Sequence, residues 1–150
     1  MPGLKDIEAR LRGIDVVGLF DNVLEGHLEQ IADLNREQLN KGLRADGTSM
    51  PDYRNSAANE IYIDDKIERG VYDQSIYPAM NFYDKGGFQK GIKAKLTLFD
   101  VEITSSDWKA DKLDAMANGE ALGITEDSLE TVRADILPEF QEQLLNAING

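Results

Sequence analysis

The chain has 150 residues, a net charge of −12 at pH 7 and no cysteine. A chain of this length is expected to form one domain, and it can bury about 70% of its unfolded surface without a disulfide or a metal to hold it. The missing cysteines exclude disulfides, thiolate metal sites and a cysteine nucleophile, and the single histidine excludes a multi-histidine metal site. With 28 acidic and 16 basic residues, the surface should repel nucleic-acid phosphates and anionic membranes, which argues against a sequence-reading DNA-binding protein.

No apolar run approaches the roughly 18 residues of a transmembrane helix. The first 20 residues lack the apolar core and cleavage site of a signal peptide, so we expect a protein that is made and kept in a cytoplasm or that leaves it by some other route. The acidic charge is uneven, because residues 119–150 carry seven acidic residues and one basic residue.

The N-terminal segment begins with a short helical pattern in which Leu4, Ile7 and Leu11 share one face. Gly13 interrupts this pattern. Residues 1–14 therefore either pack on their own domain or form an arm that reaches another subunit, and we favour the arm.

A longer amphipathic helix is predicted next. Asp15 is a suitable N-cap, and apolar residues follow at steps of three and four until about Asn40, where Gly42 offers an exit. One continuous N-terminal helix is therefore expected from Val16 onward.

The middle of the chain contains the strand signals. Residues 42–60 are predicted to be a loop. Residues 61–79 are predicted to be mostly extended, because Ile61 and Ile63 alternate with polar neighbours as in a strand, and a helical turn over DDKIERG stays open as the alternative. Alternating apolar and polar residues over 91–98 indicate a half-buried strand, and Val101 and Ile103 continue as its partner. Residues 91–105 are therefore predicted to form a hairpin that turns at Phe99-Asp100.

The C-terminal third is predicted to be helical again. A helix is expected over 108–117, with Leu113 and Met116 facing inward. Thr125 is a good N-cap for a long final helix, which Pro138 should kink or split.

These elements predict a single α+β domain over residues 1–150. Long N- and C-terminal amphipathic helices should pack on a small antiparallel sheet. The predicted core residues are Leu19, Val23, Leu24, Ile31, Ile92, Leu96, Ile103, Leu113, Leu129, Val132, Ile136 and Phe140.

A search for catalytic chemistry finds no constellation. His27 lies beside the apolar stripe of the first long helix and is interpreted as a packing or surface residue. The glycines of the segment DKGGF do not match a phosphate-binding loop, and the pair Asp64-Asp65 does not match a calcium loop. We therefore predict no catalytic residue, no metal and no cofactor.

The candidate interface residues are found by charge and size. Lys93 and Lys95 share one face of the predicted strand, where they either meet an acidic partner, including another copy of this chain, or protect an edge strand from aggregation. Trp108 is interpreted as a core or interface anchor rather than a ligand-stacking platform. Phe88, which precedes the strand, completes the predicted interface set.

Three segments then resemble a known family. QLNKGLRADGTSMPDY at 38–53, FYDKGGFQKGI at 82–92 and ALGITEDSLETV at 121–132 are similar to successive segments of tail-completion and virion-morphogenesis proteins of tailed phages, including the family of the Mu-like morphogenesis protein G. Lys85-Gly86 stands where that family has threonine before its glycine.

The resemblance implies a non-enzymatic virion structural protein that forms an oligomeric ring at the head–tail neck or the proximal tail. Its partners would be further copies of itself and other connector or tail proteins, and genomic DNA would pass nearby without specific binding. An acidic lumen would repel that DNA. The channel would be lined either by the acidic face of the first long helix or by that of the final helix, whose acids are Glu126, Asp127, Glu130, Glu139 and Glu142.

Two other classes of function stay open from the sequence. A small acidic inhibitor that mimics DNA would explain the net charge of −12. A small hydrolase with paired carboxylates would need a pocket that contains a strongly perturbed acid.

Overall fold

The computed structural model describes residues 3–98 and 100–150 and shows a mixed α+β fold that is mostly helical. A two-stranded sheet lies among helices, with helical elements at both ends of the chain, as predicted. The helices are α1 Leu4–Arg12, α2 Val16–Glu25, α3 Leu28–Asn40, α4 Ala57–Glu68, α5 Gly87–Lys90, α6 Ala110–Met116 and α7 Glu126–Asn149, and the strands are β1 Ile92–Leu96 and β2 Val101–Ser105.

The predicted hairpin is confirmed. Strands β1 and β2 pair antiparallel, with Ala94 opposite Ile103. Ala94 and Ile103 face the core, while Lys93 and Lys95 point to the other side of the sheet because successive strand residues alternate. One half of the predicted turn, Phe99, lies outside the described residues.

The prediction of one continuous helix from Val16 to Asn40 is wrong. Helix α2 ends at Glu25, and α3 begins at Leu28 after Gly26 and His27. Glycine is a poor helix former because it loses much backbone freedom on folding, so this is a natural place for the helix to break. The predicted N-cap is confirmed, since Asp15 accepts a hydrogen bond from the Gly18 amide at 2.9 Å.

The extended structure predicted for residues 61–79 is also wrong at its start, where α4 continues to Glu68. Ser56 caps this helix by accepting a hydrogen bond from the Asn59 amide at 3.1 Å. The buried residues Ile63 and Lys66 lie three positions apart and so share one face of the helix. The helical pattern of this segment was not recognised in the sequence because a lysine, Lys66, occupies a core position.

The two C-terminal helices follow the prediction with one exception. Met116 is exposed rather than inward, whereas Leu113 packs against the core. Thr125 caps α7 by accepting from the Ser128 amide at 3.2 Å. Helix α7 continues through Pro138 and is not split there.

The core consists of two apolar clusters that meet at Ala94 and Ile103 of the hairpin. The first cluster contains Leu39, Met50, Ala79, Phe82, Phe88 and Ile92. The second contains Val23, Ile31, Val132 and Ile136. Of the predicted core, Val23, Ile31, Ile92, Val132 and Ile136 are buried, and Leu19, Leu24, Leu96, Ile103, Leu113, Leu129 and Phe140 are half-buried.

Two polar side chains of α3 fix the segment between α6 and α7. The side chain of Asn35, which is fully buried, donates to the Ala121 carbonyl at 2.9 Å and accepts from the Gly123 amide at 3.1 Å. Gln38 accepts from the Thr125 amide at 2.8 Å. These bonds satisfy backbone groups that would otherwise be buried without partners.

Helix α1 lies on α7, where the Arg10 guanidinium donates to the Ile148 carbonyl at 2.8 Å. No residue of α1 is buried. Within the part of the chain that the structure describes, no helix is long and apolar enough to span a membrane.

Candidate functional site

A lysine enclosed by tyrosines forms the most unusual polar cluster in the described structure. Lys66 is 0% exposed, and its ammonium donates to the Tyr53 hydroxyl at 2.9 Å and the Asn81 side-chain oxygen at 2.7 Å. The rings of Tyr53, Tyr62 and Tyr72 lie 5.1 to 5.5 Å from Nζ, within the range of cation–π attraction. This cluster therefore compensates a buried charge with dipoles and ring faces.

The cluster shifts the ionisation of its members in opposite directions. Burial lowers the pKa of Lys66 to about 8, against the opposing effect of the Asp84 carboxylate. Burial raises the pKa of Tyr62 and of Tyr72 to about 12, and it raises the pKa of Tyr53 still further. Each shift favours the uncharged form of the group, as expected for a site with little water.

Asn81 connects this cluster to the rest of the fold. Its side chain donates to the Val71 carbonyl at 2.7 Å, and its side-chain oxygen also accepts from the Tyr83 amide at 3.1 Å. The Asn81 carbonyl in turn accepts from the Gln89 side chain at 2.8 Å. The bonds to Lys66 are thus part of a network that joins α4 to the segment before the hairpin.

Two of these tyrosines, Tyr53 and Tyr62, also line a cavity of about 430 Å³. We call it the aromatic cavity, and its lining includes Tyr53, Tyr62, Phe82, Tyr83, Asp84, Lys85, Phe88, Asp107, Trp108, Lys109 and Leu113. Trp108 is 86% exposed at this cavity, and the Lys109 ammonium lies 5.2 Å from its ring. An exposed tryptophan beside a concave aromatic surface is typical of a protein-binding site.

The four predicted interface residues are not equivalent. Phe88 is 3% exposed and packs edge-on against Phe82 in the first core cluster, so the structure places it inside the domain. Trp108 is not a core residue. Its exposure is compatible with the other predicted role, that of an interface anchor. Lys93 and Lys95 are exposed on the outer face of the hairpin, where Lys95 lies 3.8 Å from Glu102.

The five acids predicted to line a channel are all exposed on α7. Three of them contact basic groups, since Arg133 bridges Glu126 and Glu130 and the His27 ring meets Glu139 at 2.8 Å. Among the residues that the structure describes, neither Asp127 nor Glu142 forms an ion pair within 4 Å. Surface pairs of this kind leave the helix strongly negative.

His27 occupies the break between α2 and α3. Its Nδ1 lies 2.8 Å from the Gln30 side-chain oxygen, and its Nε2 lies 2.8 Å from a Glu139 carboxylate oxygen. The hydrogen bond to Gln30 and then that to Glu139 raise the pKa of His27 above its ordinary value. The histidine thus joins the helix break to α7, a contact that the prediction of a packing or surface residue did not include.

Metal chemistry has no obvious site in the described residues, where no three His, Asp or Glu side chains are grouped to hold an ion.

The Lys66 cluster was missed by sequence reasoning because its members are distributed over four segments. The i, i+4 spacing of Tyr62 and Lys66 was one available signal, since it places both side chains on one helix face.

The chain matches no protein-family profile, no curated protein and no solved structure.

Proposed function

We propose that the chain is a non-enzymatic structural protein of a tailed-phage virion, which forms an oligomeric ring at the head–tail neck or the proximal tail. Assembly would take place in the host cytoplasm, with connector or tail proteins as neighbours. The proposal starts from the resemblance of residues 38–53, 82–92 and 121–132 to tail-completion and virion-morphogenesis proteins.

One observation supports the proposal most directly: these three distant segments pack together. Leu39, Phe82 and Ala121, one from each segment, lie in the first core cluster. Gln38 also accepts a hydrogen bond from the Thr125 amide at 2.8 Å, and Gln89 donates to the Asn40 side chain at 2.8 Å. The residues that carry the resemblance therefore form one structural unit rather than unrelated turns.

The electrostatics are compatible with a DNA channel. Helix α7 exposes its acids along its length, and residues 119–150 hold seven acidic residues and one basic residue. A ring lined by such helices would repel the phosphate backbone and allow DNA to pass without adhering.

Replacing the channel acids with amides tests this role. We expect the variant to assemble but to retain duplex DNA at low salt, because the repulsion between α7 and phosphate is removed. DNA retention is measured by filter binding at several salt concentrations with the combined variant Glu126→Gln, Asp127→Asn, Glu130→Gln, Glu139→Gln and Glu142→Gln.

The matched control removes the same number of charges elsewhere on the exposed surface. It carries Asp52→Asn, Glu60→Gln, Asp64→Asn, Glu68→Gln and Asp73→Asn. If both variants retain DNA equally, α7 has no special relation to DNA and the channel assignment is wrong.

An acidic inhibitor that mimics DNA is the second candidate, favoured by the unpaired carboxylates Asp127 and Glu142 on an exposed helix. Such a protein would act as a monomer and bind a basic DNA-binding enzyme in a salt-sensitive way. Ring formation separates the two proposals.

A further inference from the structure

The imidazole of His27, in the break between α2 and α3, has an oxygen atom at each of its nitrogens. Nδ1 lies 2.8 Å from the Gln30 side-chain oxygen, and Nε2 lies 2.8 Å from a Glu139 carboxylate oxygen. The oxygen of an amide or of an ionised carboxylate only accepts hydrogen bonds. Only the imidazolium cation, which carries a proton on both nitrogens, satisfies both contacts at once.

The Gln30 amide is fixed in this orientation by α7. Its nitrogen donates to an Asp135 carboxylate oxygen at 2.6 Å, so a rotation of the amide would bring the Gln30 oxygen against that carboxylate. Asp135 and Glu139 lie four positions apart and so share one face of α7. Asp135 therefore holds the oxygen of Gln30 toward His27, and a neutral imidazole must lose one of its two contacts.

The charges around the imidazole favour its cation. The hydrogen bonds to Gln30 and Glu139 and the carboxylates of Glu139 and Asp135 raise the pKa of His27 against the opposing effect of burial. Both carboxylates belong to α7, whereas Gln30, the contact from α3, is uncharged. On α2 the nearest charged residue along the chain is Glu25, which is exposed and screened by solvent.

The contact to Glu139 is the easier of the two to open. The Glu139 side chain is 46% exposed and its carboxylate can turn to water, whereas Gln30 is half-buried and held by Asp135. When the imidazolium gives one proton to water, the remaining proton should stay on Nδ1, where the fixed Gln30 oxygen accepts it. The lone pair of Nε2 then faces Glu139, and the carboxylate moves away.

We infer that His27 is a pH-sensitive switch between the α2–α3 break and α7. The protonated imidazole bridges Gln30 and Glu139. The neutral imidazole keeps Gln30 and releases Glu139, so that α7 gains a free carboxylate on its exposed side. The bond between Gln30 and Asp135 is present in both forms and selects which contact opens. The switch is a property of the single chain and does not depend on the proposed oligomer.

The position of the proton on neutral His27 tests this switch. A long-range ¹H–¹⁵N NMR spectrum of the imidazole distinguishes the two neutral tautomers, and the chain contains no other histidine. Well above the folded pKa, we expect the tautomer protonated on Nδ1 to exceed the one protonated on Nε2 by roughly fivefold or more, because one net hydrogen bond favours it.

Two variants separate the effect of Gln30 from that of charge. Gln30→Met removes the fixed oxygen and keeps every charge, so its neutral imidazole should carry the proton on Nε2 and retain Glu139. Asp135→Asn should give the same tautomer, because the Gln30 amide is then free to turn its nitrogen toward Nδ1. Asp21→Asn removes a carboxylate from the exposed surface of α2 and is the control, which should titrate like the wild type.

The tautomer decides the outcome in each protein. A wild-type imidazole that carries its proton on Nε2 well above the folded pKa, or that populates both tautomers equally, overturns the inference. A Gln30→Met variant that keeps the proton on Nδ1 also overturns it, because Gln30 would then not select the tautomer. Asp135 is exposed, so Asp135→Asn keeps the test decisive if the substitution at half-buried Gln30 prevents folding.

Discussion

Lys66 is a buried cation whose nearest partners are uncharged. Its ammonium donates to Tyr53 and Asn81 and lies under three aromatic rings. Hydrogen bonds and ring faces compensate only part of the lost hydration of a buried charge. The low pKa of Lys66, about 8, is the consequence.

This pKa predicts that the protein becomes more stable between about pH 8 and pH 10. The unfolded chain binds a proton at Lys66 up to the ordinary lysine pKa of 10.5, whereas the folded chain releases it near pH 8. Because the unfolded state binds more protons in this window, the free energy of unfolding rises with pH, by on the order of 2 kcal/mol. Above about pH 10 the trend reverses, because folding raises the pKa of Tyr62 and Tyr72 to about 12.

Urea unfolding at closely spaced pH values measures the effect, with Lys66→Met as the matched variant. Methionine fills a similar volume without a titrating group, so the rise between pH 8 and pH 10 should disappear while the fall at higher pH remains. Parallel profiles for the two proteins would show that Lys66 has an ordinary pKa in the fold.

At the scale of elements, the junction between α2 and α3 is held by one side chain. The His27 ring forms hydrogen bonds with Gln30 in the first turn of α3 and with Glu139 on α7. Because the helix breaks here, the imidazole ring of His27 reaches Glu139 on α7. A continuous helix would place this ring differently.

The single histidine makes this contact directly measurable. We expect an NMR titration of the His27 ring to give a pKa above 6.5, and Glu139→Gln to lower it, because a hydrogen-bonded carboxylate stabilises the charged ring. The raised pKa means that the contact stabilises the fold below about pH 6.5 and that this stabilisation is lost as the pH rises through the folded pKa. Glu142→Gln, one turn further along α7, is the control. Equal His27 titrations in all three proteins would exclude the contact in solution.

The elements also show what the sequence could predict. The hairpin and the start of α7 were found because strict alternation and a threonine N-cap are local signals. Helix α4 was not predicted, because Ile61 and Ile63 alternate with polar neighbours as in a strand and because the core position that follows Ile63 at helical spacing is held by Lys66. The aromatic cavity could not be predicted, since residues far apart in sequence, such as Tyr53 and Trp108, meet only in the fold.

At the scale of the whole molecule, charge is unevenly distributed over the surface. The aromatic cavity is lined by two lysines and two aspartates, whereas α7 carries six acidic residues and one basic residue. The proposed ring requires a heterologous contact between copies, because contacts of that kind close into a ring when the rotation between copies permits it.

The mass of the purified chain in solution tests the central proposal most directly. We predict a closed oligomer of one size, a fixed multiple of 16.7 kDa, either alone or on addition of the connector and tail proteins of the same phage. A protein that stays monomeric in both conditions would contradict the ring, and a salt-sensitive complex of that monomer with a basic DNA-binding enzyme would support the acidic inhibitor instead.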